Sequence, residues 1–188
     1  MADIERCWWA SSDPLLAADH DEAWGRPVTD DTQLFEMLTL EAFQAGLSWL
    51  TILRKRDSFR SAFRGFDPRV VANFDEADRE RLMADAGIVR NRAKIDATIE
   101  NARAFLALID ERGSFHAYVT SFVGSPPPTL PPDTQPGSIP ATTPASDALS
   151  RDLKKRGFRF VGSTIVYAFL QAAGFVDDHL PGCFRYRG

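Results

Sequence analysis

A carboxylate stands where helical spacing expects an apolar side chain. In DDTQLFEMLTLEAFQA the residues Leu34, Met37, Leu38, Glu41 and Ala45 fall within an arc of about 100° at helical pitch, so Glu41 sits in the middle of the stripe that should be buried. An unpaired carboxylate there is costly. Two readings follow: a glutamate satisfied internally by a backbone amide or an arginine, or one facing a cavity where a ligand brings the missing donor or positive charge. Trp49, just past the break at Gly46, is placed either as an aromatic wall of that cavity or as plain core.

The two cysteines and two of the three histidines form a second group. Cys7 and His20 flank the first helical stretch, and His179 and Cys183 make an H-x-x-x-C pair near the other end. Two thiolates and two imidazoles are the ligand set of a closed tetrahedral zinc site with no position left for a catalytic water. Buried free thiols, or a disulfide between the termini, are the alternatives. A cytosolic setting disfavours the disulfide. His116 has no such partner.

A third feature lies in RLMADAGIVRNRAKIDATIENA. A short helix ends at Ala86-Gly87, the apolar Ile88 and Val89 follow, and a new helix opens near Asn91 with Arg92 and Lys94 in its first turn. This is either a helix-hairpin-helix, whose turn around Gly87, Ile88 and Arg90 presents backbone N–H groups and a helix N-terminus to a phosphate, or a plain corner between two helices.

The elements that must position these residues read as helices almost throughout. Asp13-Pro14 and Asp67-Pro68 place a capping side chain before a proline at the first helical position, and Gly25, Gly87, Gly113, Gly157 and Gly174 stand where helices stop. The pattern predicts helices over 14–23, 31–44, 48–63, 68–73, 76–85, 92–111, 114–122, 147–156 and 163–173, an all-α class. Residues 125–144 hold eight prolines and form an extended connector, expected to cross the surface and return the last two helices against earlier ones.

The 188 residues, 44% hydrophobic and 26% charged, suit one well-filled soluble domain. No apolar run is long enough to span a bilayer, and MADIERC has neither the basic nor the apolar part of a signal peptide, so a cytoplasmic protein without membrane contact is expected. A net charge of -4 argues against binding nucleic acid by bulk charge, but the charge is uneven. Asp3, Glu5, Asp13, Asp19, Asp21, Glu22, Asp30 and Asp31 crowd the first stretch. Bases cluster at residues 54–64 and 151–159 and at Arg90, Arg92 and Lys94; they are either solvated helix faces or, if folded onto one side, a footprint for a phosphate backbone.

Four segments, in this order, resemble the bacterial DNA-3-methyladenine glycosylase I family: ERCWWASSDPLLAADHDEAWGRP, LFEMLTLEAFQAGLSWLTILRKR, DAGIVRNRAKIDATIENARAFL, and ASDALSRDLKKRGFRFVGSTIVYAFLQAAG followed by DDHLPGC. The resemblance runs from about Glu5 to Cys183. It implies a helix-hairpin-helix glycosylase fold in a single domain, with a zinc lobe of about 1–30 and 145–188, a hairpin lobe of about 31–124 and the connector 125–144. It also implies one structural zinc per chain on Cys7, His20, His179 and Cys183, joining the two ends.

The implied activity is flipping 3-methyladenine out of alkylated double-stranded DNA and hydrolysing its N-glycosidic bond, leaving an abasic site and free 3-methyladenine. Glu41 then matches the catalytic, base-reading carboxylate, Trp49 the stacking aromatic and Trp9 a further pocket aromatic. Ala45-Gly46-Leu47 matches the wedge that fills the gap in the duplex. No lysine occupies a Schiff-base position, which implies a monofunctional enzyme; one pocket and one zinc per chain suit a monomer.

Three positions depart from the family pattern. Leu16 and Asp19 stand at base-pocket positions where the family carries tyrosines, and Ala23 replaces a glutamate before Trp24-Gly25. Leu16 offers only apolar contact. Asp19 either adds a second carboxylate near Glu41, so that one of the pair carries a raised pKa, or points to solvent. Three functions remain open on sequence: a glycosylase with an altered pocket, a module that binds DNA or lesions without excising the base, and an acidic helical protein whose pocket holds another planar cation.

Overall fold

The computed structural model describes residues 4–187; Asp3 of the acidic stretch and the first residues of MADIERC lie outside them. Ten α-helices follow in order: α1 (Pro14–Glu22), α2 (Asp31–Gln44), α3 (Trp49–Leu53), α4 (Arg56–Ala62), α5 (Pro68–Val71), α6 (Glu76–Ala84), α7 (Arg92–Arg112), α8 (Phe115–Val123), α9 (Pro144–Lys155) and α10 (Ser163–Ala172). Short 3-10 turns cover Trp8–Ser12, Arg64–Phe66 and Pro136–Ser138. Among the described residues no strand forms, only an isolated bridge between Thr129 and Asp177. No described helix is long and apolar enough to cross a membrane.

The expected caps form. Asp13 accepts from Leu15 N ahead of Pro14, and Asp67 from Arg69 N ahead of Pro68. Two boundaries differ from the sequence expectation. The single helix expected over 48–63 breaks between α3 and α4, where Lys55 leaves helical geometry and its ammonium donates to the carbonyls of Ala86 (2.9 Å) and Gly87 (3.2 Å). Helix α9 begins at Pro144 rather than 147, because Thr143 and Ser146 form a reciprocal capping box around a proline at the first turn.

Helix α2 is the centre of the molecule. Leu34, Phe35, Leu38, Leu40 and Phe43 are fully buried, and the helix packs on α3, α7, α8 and α10. Phenylalanines carry much of the core: the rings of Phe43 and Phe59 lie 4.8 Å apart and those of Phe105 and Phe115 4.4 Å apart. Each such ring removed from water stabilises the fold by roughly 1.5–3 kcal/mol, so the helix bearing Glu41 is rigidly held.

A smaller cluster joins the ends of the chain. Cys7, Leu180 and Cys183 pack together with Trp9, and Leu130 and Ile139 of the connector close over them. The connector returns the chain so that α10 meets α9 and α2. It is also tied down by Asp177 N donating to Pro128 O (2.9 Å) and by Tyr186 Oη donating to Leu130 O (2.9 Å).

Candidate active site

Glu41 lies in the third turn of α2, 5% exposed, with no hydrogen-bond donor to its carboxylate among the described residues. It faces a cavity of about 620 Å³ whose walls include Leu16, Trp9, Trp49, Gln44, Gln171 and Asp178. Of the two readings of Glu41, the cavity is the one realised. Burial, with the nearby Asp19 charge adding and the Arg56 charge opposing, pushes its carboxyl up to about 8. A cation arriving in the cavity would reverse that balance and favour the carboxylate.

The aromatic walls come from two ends of the sequence. Trp49 opens α3, capped by Ser48, and is half-buried. Trp9, in the first 3-10 turn, stands edge-on to Trp24 (5.2 Å between centroids) and to His20 (5.4 Å). Trp8, 66% exposed, sits at the cavity rim, and Asp178 lines the wall, its carboxylate accepting from Tyr167 Oη and from Gln171 Nε2 (2.7 Å). Sequence reasoning singled out neither Trp8 nor Asp178; the run Trp8-Trp9 and the doubled Asp177-Asp178 were the available signals.

Of the two sequence expectations for Asp19, a second carboxylate near Glu41 is the one met, since its charge helps raise the Glu41 carboxyl. It does not point to solvent, being 6% exposed, and it borders not the 620 Å³ cavity but a neighbouring one of about 580 Å³, which Glu41 and Trp49 also line. Its two oxygens accept from Trp49 Nε1 and from Arg56 Nη2, each at 2.9 Å.

The loop 45–48 is exposed, with Leu47 projecting at 42% exposure, and Gly46 turns it at φ +81°, a left-handed conformation that a side chain would strain. Between α6 and α7, the hairpin keeps some expected residues at the surface and withdraws others. Gly87 N–H is taken by Asp85 Oδ1 (2.7 Å), and a Cβ there would come within 3.0 Å of Ser58. The backbone amides of Val89 and Arg90 donate to nothing among the described residues, and Arg90 is exposed without an acid partner.

Lys94 is corrected from its expected place at the surface, whereas Ile88 is the apolar anchor the turn was expected to carry. Ile88 is 3% exposed and anchors the turn in the core. Lys94 is 7% exposed and donates to the carbonyls of Phe43 and Ala45, both at 2.8 Å, at the end of α2. Arg92 is exposed but pairs with Glu76 and Asp96. In the other basic stretches Arg54, Arg56, Arg60, Arg156 and Arg159 also pair with acids. Arg64, Arg151, Lys154 and Lys155 are exposed and have no acid partner among the described residues.

The ligand atoms of Cys7, His20 and Cys183 lie within 4.8 Å of one another. A tetrahedral zinc with bonds of about 2.0–2.3 Å sets its ligand atoms about 3.5 Å apart, and Cys183 Sγ and His20 Nε2 are 3.4 Å apart. His179 stands outside that threesome, its ring centroid 5.3 Å from that of His20, but its Nε2 is buried with no hydrogen-bond partner among the described residues. The opposite nitrogen of each histidine is held by a carboxylate: His20 Nδ1 by Asp21 (2.8 Å), His179 Nδ1 by Asp177 (2.6 Å). That is the outer shell that orients metal-binding imidazoles, so the residues fit zinc. Gly25 makes the approach possible, since a Cβ there would meet His179 Cε1 at 2.6 Å. Arg185, not anticipated from the sequence, is buried beneath the cluster and donates to the carbonyls of His20 (2.8 Å) and Trp24 (2.7 Å).

Residues 9–186 match the family model described as methyladenine glycosylase. The chain belongs to this family. It is 53% identical over 185 residues to DNA-3-methyladenine glycosylase 1 of Escherichia coli (strain K12), covering 98% of each chain. Among solved structures it is similar to a 3-methyladenine DNA glycosylase I at 52% identity and a TM-score of 0.92, covering 97% of this chain and 100% of that one. It is also similar, at 37% identity and a TM-score of 0.89, to a tyrosine-to-phenylalanine variant of a 3-methyladenine DNA glycosylase I solved in complex with 3-methyladenine, covering 97% and 99%. The methyladenine glycosylase match takes in Glu41, Trp49, the hairpin, His20, His179 and Cys183, and begins just after Cys7.

Proposed function

We infer that this protein is a monofunctional DNA-3-methyladenine glycosylase of base-excision repair, which hydrolyses the N-glycosidic bond of 3-methyladenine in alkylated duplex DNA and leaves an abasic site. The observation that carries this reading is Glu41: in a chain of this family, a buried carboxylate without an internal donor faces a cavity large enough for a flipped base, beside the half-buried Trp49.

The chemistry asked of the protein is modest. The lesion nucleotide is cationic, so its base already leaves easily, and damage lowers the cost of unstacking it. Trp49 and Trp9 provide flat apolar surface for the ring. Glu41, ionised by the arriving positive charge in a site that excludes water, accepts hydrogen bonds from the base edge and stabilises the cation through bond cleavage. Leu47 at the tip of its exposed loop fills the space the base vacates. The free amides of Val89 and Arg90, the N-terminus of α7 and the Arg90 side chain take the phosphate backbone, so that the α6–α7 turn acts as a helix-hairpin-helix.

Cys7, His20, His179 and Cys183 would hold one zinc. Such an ion would supply no chemistry to base removal; its four ligands would clip the N- and C-terminal segments together behind the Trp9 wall. A single chain contains the whole cavity and the whole ligand set, so it acts as a monomer. Incubation with methylated duplex DNA, with released bases resolved by chromatography, tests the reading: 3-methyladenine is expected as the main product over 3-methylguanine and 7-methylguanine. Protein that binds the duplex yet releases no base would refute it.

A further inference from the structure

We infer that Asp19, together with Arg56, is a positioning residue for the base site proposed above: it anchors the ring nitrogen of Trp49 and so fixes the plane on which the base stacks. The inference rests on that functional reading. Three elements converge on one indole: Asp19 from α1, Trp49 from α3 and Arg56 from α4. An indole has a single donor, and here it is spent on Asp19 Oδ2 at 2.9 Å. The other oxygen, Oδ1, accepts from Arg56 Nη2 at 2.9 Å, and the Arg56 guanidinium carbon lies 5.8 Å from the Trp49 ring centroid. The ring is thereby held at its edge by a charged acceptor and at a face by a cation.

Position in the fold separates this role from direct base contact. Trp49 and Glu41 border both the base cavity and its neighbour, whereas Asp19 and Arg56 border only the neighbour. With the base in the 620 Å³ cavity proposed above, Asp19 stands behind Trp49 rather than against the base. A platform locked in advance loses little side-chain freedom when the base arrives, which favours binding. Asp19, expected from sequence as a base-pocket carboxylate, is assigned instead to the support of the stacking residue.

The test is a double-mutant cycle read by binding of free 3-methyladenine and by kcat and KM for its release from methylated duplex DNA. Asp19→Leu is expected to weaken base binding about tenfold, the scale of one lost hydrogen bond to a charged group, and to act mainly through KM. Asp19→Asn keeps an acceptor for the indole and recovers most of that loss. In a Trp49→Phe background, which has no indole N–H, Asp19→Leu should cost little more. Asp19→Asn as weak as Asp19→Leu, or a Leu penalty that persists without the indole, would overturn the inference in favour of direct contact between Asp19 and the base.

A spectroscopic readout does not depend on how well Asp19→Leu folds. The Trp49 indole N–H resonance, assigned by its disappearance in Trp49→Phe, should move upfield in Asp19→Asn as a charged acceptor becomes neutral; an unmoved resonance overturns the anchor. Wild-type protein that neither binds 3-methyladenine nor releases it would sink the functional reading and this inference with it. A working wild type indifferent to Asp19→Leu sinks the inference alone.

Discussion

Glu41 carries a stability cost that its proposed role in holding a cationic base would explain. Its carboxyl, pushed up to about 8 by burial and then by the Asp19 charge, holds its proton more tightly in the folded chain than in the unfolded one. The stability tied to that proton is fully present below the ordinary carboxylate pKa and is lost as pH rises through the folded value, several kcal/mol in all by linkage. Glu41→Gln should therefore be more stable than wild type at neutral to alkaline pH, the gap closing towards acid; melting curves across pH check it. On the proposed mechanism catalysis uses the ionised form, so kcat/KM for base release should climb with pH and level off near 8 in wild type. At this scale the sequence was informative where a residue type broke a pattern, as Glu41 breaks an apolar stripe. It could not place Asp19, because its partners Trp49 and Arg56 come from helices 30 and 37 residues further along.

Helices were readable where local chemistry decides them. Asp13-Pro14 and Asp67-Pro68 carry their own caps, and α2 and α7 show their buried faces in their spacing. The α3–α4 break was not readable, since Lys55 turns there to meet carbonyls more than thirty residues away. Lys94 misled for the same reason: in sequence a first-turn lysine looks like a phosphate ligand, but in the fold it reaches back to the carbonyls that end α2. It thus ties the hairpin helix to the loop carrying Leu47. Lys94→Met keeps the stem and removes the two bonds. Its buried ammonium already bears a desolvation penalty that holds its pKa down, so a net cost of about 1–2 kcal/mol is expected in denaturant unfolding. Excision from duplex should suffer more than binding of free 3-methyladenine, because the loop proposed as the wedge loses its tether.

At the scale of the whole molecule, the ends of the chain are joined through a small satellite cluster rather than the main core. Zinc at Cys7, His20, His179 and Cys183 would add its binding energy to folding there. Metal analysis should find about one zinc per chain, and Cys183→Ser or chelation should lower both metal content and melting temperature; full metal retention by Cys183→Ser would rule that ligand out. The net charge of -4 and the pairing of many arginines leave few free cations for DNA, chiefly Arg64, Arg90, Arg151, Lys154 and Lys155 among the described residues. Affinity for duplex should accordingly depend on salt with a shallow slope.

The most direct test of the account is release of 3-methyladenine from methylated duplex DNA, followed over a range of pH in wild type and in Glu41→Gln. The account predicts release by wild type that rises towards alkaline pH and a Gln variant that still binds duplex but excises at least about a hundredfold more slowly on the alkaline plateau, the gap narrowing towards acid as wild-type Glu41 is protonated. Equal release by the two proteins on that plateau, or a wild type that binds and never excises, would contradict it.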